Sequence, residues 1–143
     1  MKKEIRESRK KELVEKALAA RTFAYVPYSK FRVGAALLAK NGTIYTGCNI
    51  ENAAYTPTNC AERTAVFKAV SEGVTEFDAI AICGGPGKAE PKDFCTPCGV
   101  CRQVLREFVD PKEFLVLLCK GDGSFREMTL EELLPMSFGK ESL

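Results

Sequence analysis

Phe114 to Cys119 is apolar along its whole length. A strand with one wet face alternates apolar and polar positions, so an uninterrupted apolar run of this length reads as a strand covered on both faces. The rest of the chain must then supply a sheet around it and packing layers on either side.

The remaining periodicities fit that demand. Leu13, Val14, Ala17 and Leu18 follow helical spacing, and the helix is expected to run to about Phe23, where Val26-Pro27-Tyr28-Ser29 breaks it. Met1 to Lys11 is mostly charged and reads as a solvated helical extension or a frayed end. Lys30 to Ala39 reads as a strand with Val33, Ala35 and Leu37 on one face. Asn41-Gly42 predicts a two-residue hairpin turn into a return strand over Thr43 to Cys48. Asn49 to Pro57 is a loop. Asn59 is then placed to cap a helix running from Cys60 to about Val70, with Glu62 in the capping-box position and Gly73 beyond the end. Phe77 to Cys83 reads as a strand and Gly84 to Phe94 as the longest loop. Thr96 and Pro97 predict the start of a helix from Cys98 to about Phe108. Gly121-Asp122-Gly123 turns into a strand over Phe125 to Met128, and Thr129 with Glu132 predicts a capping box for a short helix stopped by Pro135.

The order α-β-β-α-β-α-β-β-α predicts an α/β fold: one mixed five-stranded sheet with helices on both faces, in three layers. Lys120 to Ser124 is too short for a crossover, so the last strand should be antiparallel to its neighbour. At 143 residues the chain is expected to be a single domain, residues 1–143, with residues 1–12 as a charged N-terminal extension.

Composition excludes several function classes. A net charge of +2 argues against nucleic acid as a partner. No apolar run approaches the ~18 residues of a membrane span. Met1 to Lys16 lacks the apolar block of a signal peptide, so an uncleaved cytoplasmic protein is expected. Seven cysteines, an odd number in a chain of this size, point to reduced thiols rather than a disulfide framework.

The absence of histidine bears most on chemistry. It removes histidine general bases, Ser-His-Asp triads and histidine metal ligands. Acid–base work near neutrality falls to a carboxylate, lysine, tyrosine or a metal-activated water. Cys98 and Cys101 form C-x-x-C, a spacing that lets two thiolates reach one metal, and Cys60 can supply a third. Three protein ligands leave a fourth position open, which is the catalytic form of a zinc site. Cys60 and Cys98 both fall at expected helix N-termini, where free N–H groups favour thiolate. Glu62 lies two residues from Cys60, within reach of a water on the metal. Arg63 can donate to thiolate sulfur and offset the three negative charges. Other readings remain open from the residues alone. Glu62 can be a capping residue, the C-x-x-C a redox pair, Arg63 a solvated side chain, and Cys95 a fourth ligand closing a structural site. Cys48, Cys83 and Cys119 lie in or beside strands and read as small core residues.

Cys60-Ala61-Glu62 followed by Pro97-Cys98-Gly99-Val100-Cys101 resembles the signature of the zinc-dependent cytidine deaminases. The likeness extends through Tyr28-Ser29-Lys30-Phe31, Val33-Gly34-Ala35-Ala36, Gly47-Cys48-Asn49-Ile50-Glu51-Asn52-Ala53, Cys101-Arg102-Gln103 and Glu131-Glu132-Leu133-Leu134-Pro135, covering about residues 15–138. It is closest to the small homotetrameric form acting on free nucleosides. The resemblance implies hydrolysis of cytidine and deoxycytidine to uridine and deoxyuridine plus ammonia, in pyrimidine salvage. It implies one Zn²⁺ per subunit on Cys60, Cys98 and Cys101, with zinc-bound hydroxide as the attacking group and Glu62 as proton shuttle. It also implies that Asn49 and Glu51 bind the ribose 3′-hydroxyl, that Phe31 stacks on the pyrimidine and that the backbone of Ala61 meets the base edge. Tyr55 and Phe138 would complete sites across subunit boundaries. Two features depart from the pattern: Arg32 stands where many relatives have proline, and the Gly84 to Cys95 loop is irregular. The alternatives are a deaminase for another aminopyrimidine such as blasticidin S or for polynucleotide, and a structural zinc module. The last would need a fourth protein ligand.

Overall fold

The computed structural model describes residues 4–143. The elements are α1 (Glu7–Arg21), β1 (Phe31–Ala39), β2 (Ile44–Cys48), α2 (Ala61–Ser71), β3 (Phe77–Pro86), α3 (Gly99–Phe108), β4 (Leu115–Cys119), β5 (Phe125–Thr129) and α4 (Leu130–Leu133), followed by a 3₁₀ turn over Lys140–Ser142. The five strands form one sheet in the order β2-β1-β3-β4-β5. β3 and β4 are parallel and joined by α3, while the other pairs are antiparallel. The parallel pair needs its crossover helix; the β4–β5 pair needs only the turn at Gly121–Gly123. The expected mixed sheet and antiparallel last strand are both present.

The central strands bury both faces. All of β4 is buried. Val116 and Leu118 face a core shared with α2, α3 and α4, whereas Leu115, Leu117 and Cys119 face a second core under α1. β1 divides the same way, with Ala35, Leu37 and Ala39 on the α2 side and Ala36 and Leu38 on the α1 side. Each leucine fully withdrawn from water contributes ~1.5–3 kcal/mol, so these faces hold the layers together. Two glycines let the helices seat closely. A Cβ on Gly34 would stand 2.1 Å from the Ala17 carbonyl oxygen of α1, and one on Gly47 would stand 2.5 Å from that of Ala61 in α2. No helix among the described residues is long and apolar enough to cross a membrane.

Three local expectations are corrected. First, the charged segment is helical from Glu7, as the helical-extension reading had it, but it is not simply solvated. Ile5 packs on the second core and Lys10 pairs with Glu127 of β5, so the start of this segment is docked on the sheet; Met1–Lys3 lie outside the described residues. Second, β3 continues past Cys83 to Pro86 because β1 pairs with it as far as Phe31 opposite Pro86. Pairing to a long neighbour overrides the breaker signal of Gly84-Gly85-Pro86. Third, the β1–β2 connection is a three-residue loop, Lys40-Asn41-Gly42. Ala39 and Thr43 close it, and Gly42 has φ +92°, as in a turn followed by a glycine bulge. The Thr129–Glu132 capping box forms as expected.

Candidate active site

The site is built where two helices begin. Cys60 is the N-cap of α2 and Cys98 the N-cap of α3, both with extended backbone. The expected caps are not used. Asn59 is held extended by mutual backbone bonds with Ile50, and its amide donates to Thr64 Oγ1 at 3.1 Å. The N-cap therefore falls one residue later, on Cys60, and Glu62 lands at the second helical position, one short of a capping box. In α3 the cap is likewise a thiol rather than Thr96, with Cys98 Sγ accepting from the Cys101 N–H at 3.4 Å. The start of α3 thus turns an N–H toward sulfur, whereas the Cys60 side chain accepts no such bond at the start of α2.

Cys60, Cys98 and Cys101 bring their sulfurs within 4.8 Å of one another, and the Cys60–Cys98 separation is 3.9 Å. Zn–S bonds of ~2.3 Å set at tetrahedral angles put sulfurs ~3.8 Å apart, so the trio fits three vertices around one zinc ion. Cys95 is outside the trio. It packs on the core beneath Gly84, where a Cβ would meet its sulfur at 2.8 Å, and burial, then the nearby Glu62 charge, push its thiol up to about 12. Its sulfur lies outside the converged three, and the side chain is half-buried against the core. Cys83 and Cys119 are buried and Cys48 is half-buried.

Charge at the site is set by close neighbours. The Cys60 thiol is lowered to about 5, first by a hydrogen bond from Cys101 and then by Arg63. Arg63 donates to Cys60 Sγ at 3.2 Å, as anticipated, and the sulfurs hold its guanidinium protonated. Its buried Nε has no hydrogen-bond partner among the described residues. Cys101 is pushed up by the Cys60 sulfur beside it and by burial. Three converging sulfurs with one arginine make a donor set that needs a cation to become fully anionic. Glu62 is 4% exposed, and burial, reinforced by the Cys60 charge, raises its carboxyl to about 7. That value is the one a group needs if it is both to take and to return a proton near neutrality.

The remaining expected residues are held in different ways. Asn49 follows β2; its Oδ1 accepts from the Val33 N–H and its Nδ2 donates to the Phe31 carbonyl, each at 2.9 Å. Glu51 accepts from the Tyr28 and Ser29 N–H groups at 3.1 Å and from the Ser29 hydroxyl, and the Ser29 hydrogen bond leads in lowering its carboxyl. Phe31 stands at the start of β1 beside a cleft of about 270 Å³ that Gly84, Phe94 and Cys95 also line. Ala61 is wholly buried, with its carbonyl against Gly47. Tyr55 and Phe138 point outward, 73% and 63% exposed, and Tyr55 takes φ +63°. Arg32 donates to the Ala24 carbonyl at 2.8 Å, tying β1 to the segment after α1 where a proline could not.

Sequence reasoning missed Arg21. It is buried and donates to the Arg32 carbonyl at 3.0 Å and the Gly85 carbonyl at 2.9 Å, locking the strand ends next to Phe31. The signal was its place four residues after Ala17, on the inward stripe of α1.

Comparison with known proteins gives a concordant result. The family described as "Cytidine and deoxycytidylate deaminase zinc-binding region" matches residues 7–117. A cytidine deaminase of Sporosarcina psychrophila is 53% identical over 131 residues, 92% of each chain. A crystal structure of cytidine deaminase from Burkholderia pseudomallei superposes with a TM-score of 0.81 at 43% identity, covering 94% of this chain and all of that one. More distantly, a blasticidin-S deaminase of Bacillus cereus is 34% identical over 89% of this chain and 90% of that protein.

Proposed function

This chain belongs to the zinc-binding cytidine and deoxycytidylate deaminase family, and on that premise we propose how its own residues carry the reaction. Water adds at C4 of cytidine or deoxycytidine, the exocyclic amino group departs as ammonia, and uridine or deoxyuridine remains. A zinc ion held by Cys60, Cys98 and Cys101, one per subunit, supplies the Lewis acidity that makes a water acidic near neutral pH.

Glu62 moves the protons. As a carboxylate it accepts one from the attacking water. As an acid it delivers that proton to N3 of the ring, and it then carries a second to the departing nitrogen. The observation that carries this reading is Glu62 itself: a carboxyl only 4% exposed beside three converged sulfurs. Arg63 keeps Cys60 anionic and offsets part of the thiolate charge, which otherwise weakens the metal as an acid.

Asn49 and Glu51 take the ribose 3′-hydroxyl. Each head of the Asn49 amide spends one hydrogen bond on β1, leaving one donor and one acceptor. The Glu51 carboxylate accepts three bonds and retains acceptor capacity for a hydroxyl proton. Both are therefore fixed before substrate arrives. Phe31 stacks on the pyrimidine, and the N–H of Ala61, a first-turn donor without an intrahelical partner, meets the base edge. Tyr55 and Phe138 of one subunit reach a neighbouring subunit's site in a homotetramer; their exposure, with that of Phe23 and Phe67, supplies apolar surface for association. The unpaired cysteines fit work in the reducing cytoplasm.

Stoichiometric ammonia and uridine from cytidine, and ammonia and deoxyuridine from deoxycytidine, are expected from zinc-loaded protein. Turnover of blasticidin S with neither nucleoside consumed would contradict the reading.

A further inference from the structure

Helix α3 serves two places along its length. Its start supplies Cys98 and Cys101. Its following turns grip the C-terminal tail. Gln103 Nε2 donates to the Phe138 carbonyl at 3.1 Å. Arg106 Nε donates to Ser137 Oγ at 2.8 Å, and another guanidinium nitrogen pairs with the Glu141 carboxylate. Arg106 thereby holds the tail on both sides of Phe138.

Several observations fit a clamp. Arg106 is only 8% exposed, and burying a guanidinium is tolerated only where hydrogen bonds compensate it. Here the compensating groups belong to the tail. A Cβ on Gly139 would meet Arg106 Nη1 at 2.4 Å, so the guanidinium lies directly against the tail backbone at the one residue that leaves room for it. The Glu141 carboxyl is held below its ordinary range by the same arginine. Thus the segment around Phe138 is held at three points, one on its backbone and two on side chains, while its ring remains 63% exposed.

We propose that Arg106, assisted by Gln103, is a positioning residue that clamps residues 137–141 so that the Phe138 ring is presented in a fixed place to the nucleoside site of a neighbouring copy of this chain. This rests on the reading of Phe138 given above. It makes α3 the common support of two metal ligands and of the ring offered to the next subunit.

The test compares cytidine kinetics of four zinc-loaded proteins: the parent, Ser137→Ala/Glu141→Ala, Phe138→Ala and the triple variant. The double variant removes both side-chain partners of Arg106 from the tail, and a melting curve of each protein shows that it is folded. It is expected to raise KM about three- to tenfold with kcat changed less than about twofold, the pattern of lost uniform binding. Phe138→Ala is expected to raise KM too, and the triple variant to match Phe138→Ala alone. An unchanged KM in the double variant, with KM raised by Phe138→Ala, would overturn the clamp and leave the role of Phe138 standing. An unchanged KM in Phe138→Ala would overturn that role and the clamp with it. Equal effects of the double substitution with and without Phe138 would also overturn the proposal, because the clamp would not then act through the ring.

Discussion

A carboxyl in the first turn of a helix ordinarily ionises readily, because the helix end favours negative charge. Glu62 does the reverse, because burial and the Cys60 thiolate outweigh the helix end. The sign of the consequence follows. Its folded value, about 7, lies above its ordinary 4.5, so the folded state binds more protons between the two. In metal-free protein, stability measured against Glu62→Gln should therefore fall as pH rises from 4.5 to about 7 and then level off. A flat difference in melting temperature across that window would contradict the burial argument. Arg63 can be tested separately. Arg63→Gln removes the donor to Cys60 Sγ and is expected to cost ~10–100-fold in zinc affinity or kcat, with KM little changed. Zinc titration and kinetics at parent-like values would leave Arg63 without a role at the metal. The convergence of Cys60, Cys98 and Cys101 and the Arg63 contact to Cys60 were legible in the sequence, because spacing and the absence of histidine leave few other chemistries. The proposed nucleoside contacts came only from family resemblance, since an asparagine or glutamate in a loop has no periodicity to mark it.

At the scale of elements, the sheet was legible because strand alternation and the buried run at β4 leave one layering. What failed did so where a distant partner decides. β3 was cut short at Cys83 because Gly84-Gly85-Pro86 reads locally as a turn, yet β1 extends opposite it. The docking of the charged start of α1 was hidden because its anchor, Glu127, lies far along the chain. The caps of α2 and α3 were misplaced by one and two residues because cap preferences favour oxygen-bearing side chains and these helices start on thiols. The close seating of α1 on β1 gives a direct test. Gly34→Ala would push a methyl group against the Ala17 carbonyl and the Arg21 N–H, backbone atoms that cannot turn aside. Overpacking of this kind should lower Tm by about 5–10 °C. An unchanged Tm would mean that α1 is not held as closely as described.

For the whole molecule, the account places parts of each site on different chains. Mixing Glu62→Gln protein with Phe138→Ala protein, followed by subunit exchange, should produce sites in which an intact Glu62 meets an intact Phe138 from its neighbour. Activity of the mixture at subsaturating cytidine is then expected to exceed the sum of the two separate proteins. A mixture that only equals the sum, with exchange verified by mass, would place each site wholly within one chain.

The central claim is that a zinc centre of three thiolates works through the proton-carrying Glu62. Its most direct test is the ultraviolet absorbance of cytidine followed over time with zinc-loaded parent protein and with Glu62→Gln, metal content being measured in both. The account predicts loss of cytidine absorbance with the parent, a rate lower by ~10²–10⁴-fold in the variant, and one zinc per chain in each. Parent-like turnover by the variant, or a folded, zinc-loaded parent that leaves cytidine and deoxycytidine unchanged, would contradict it.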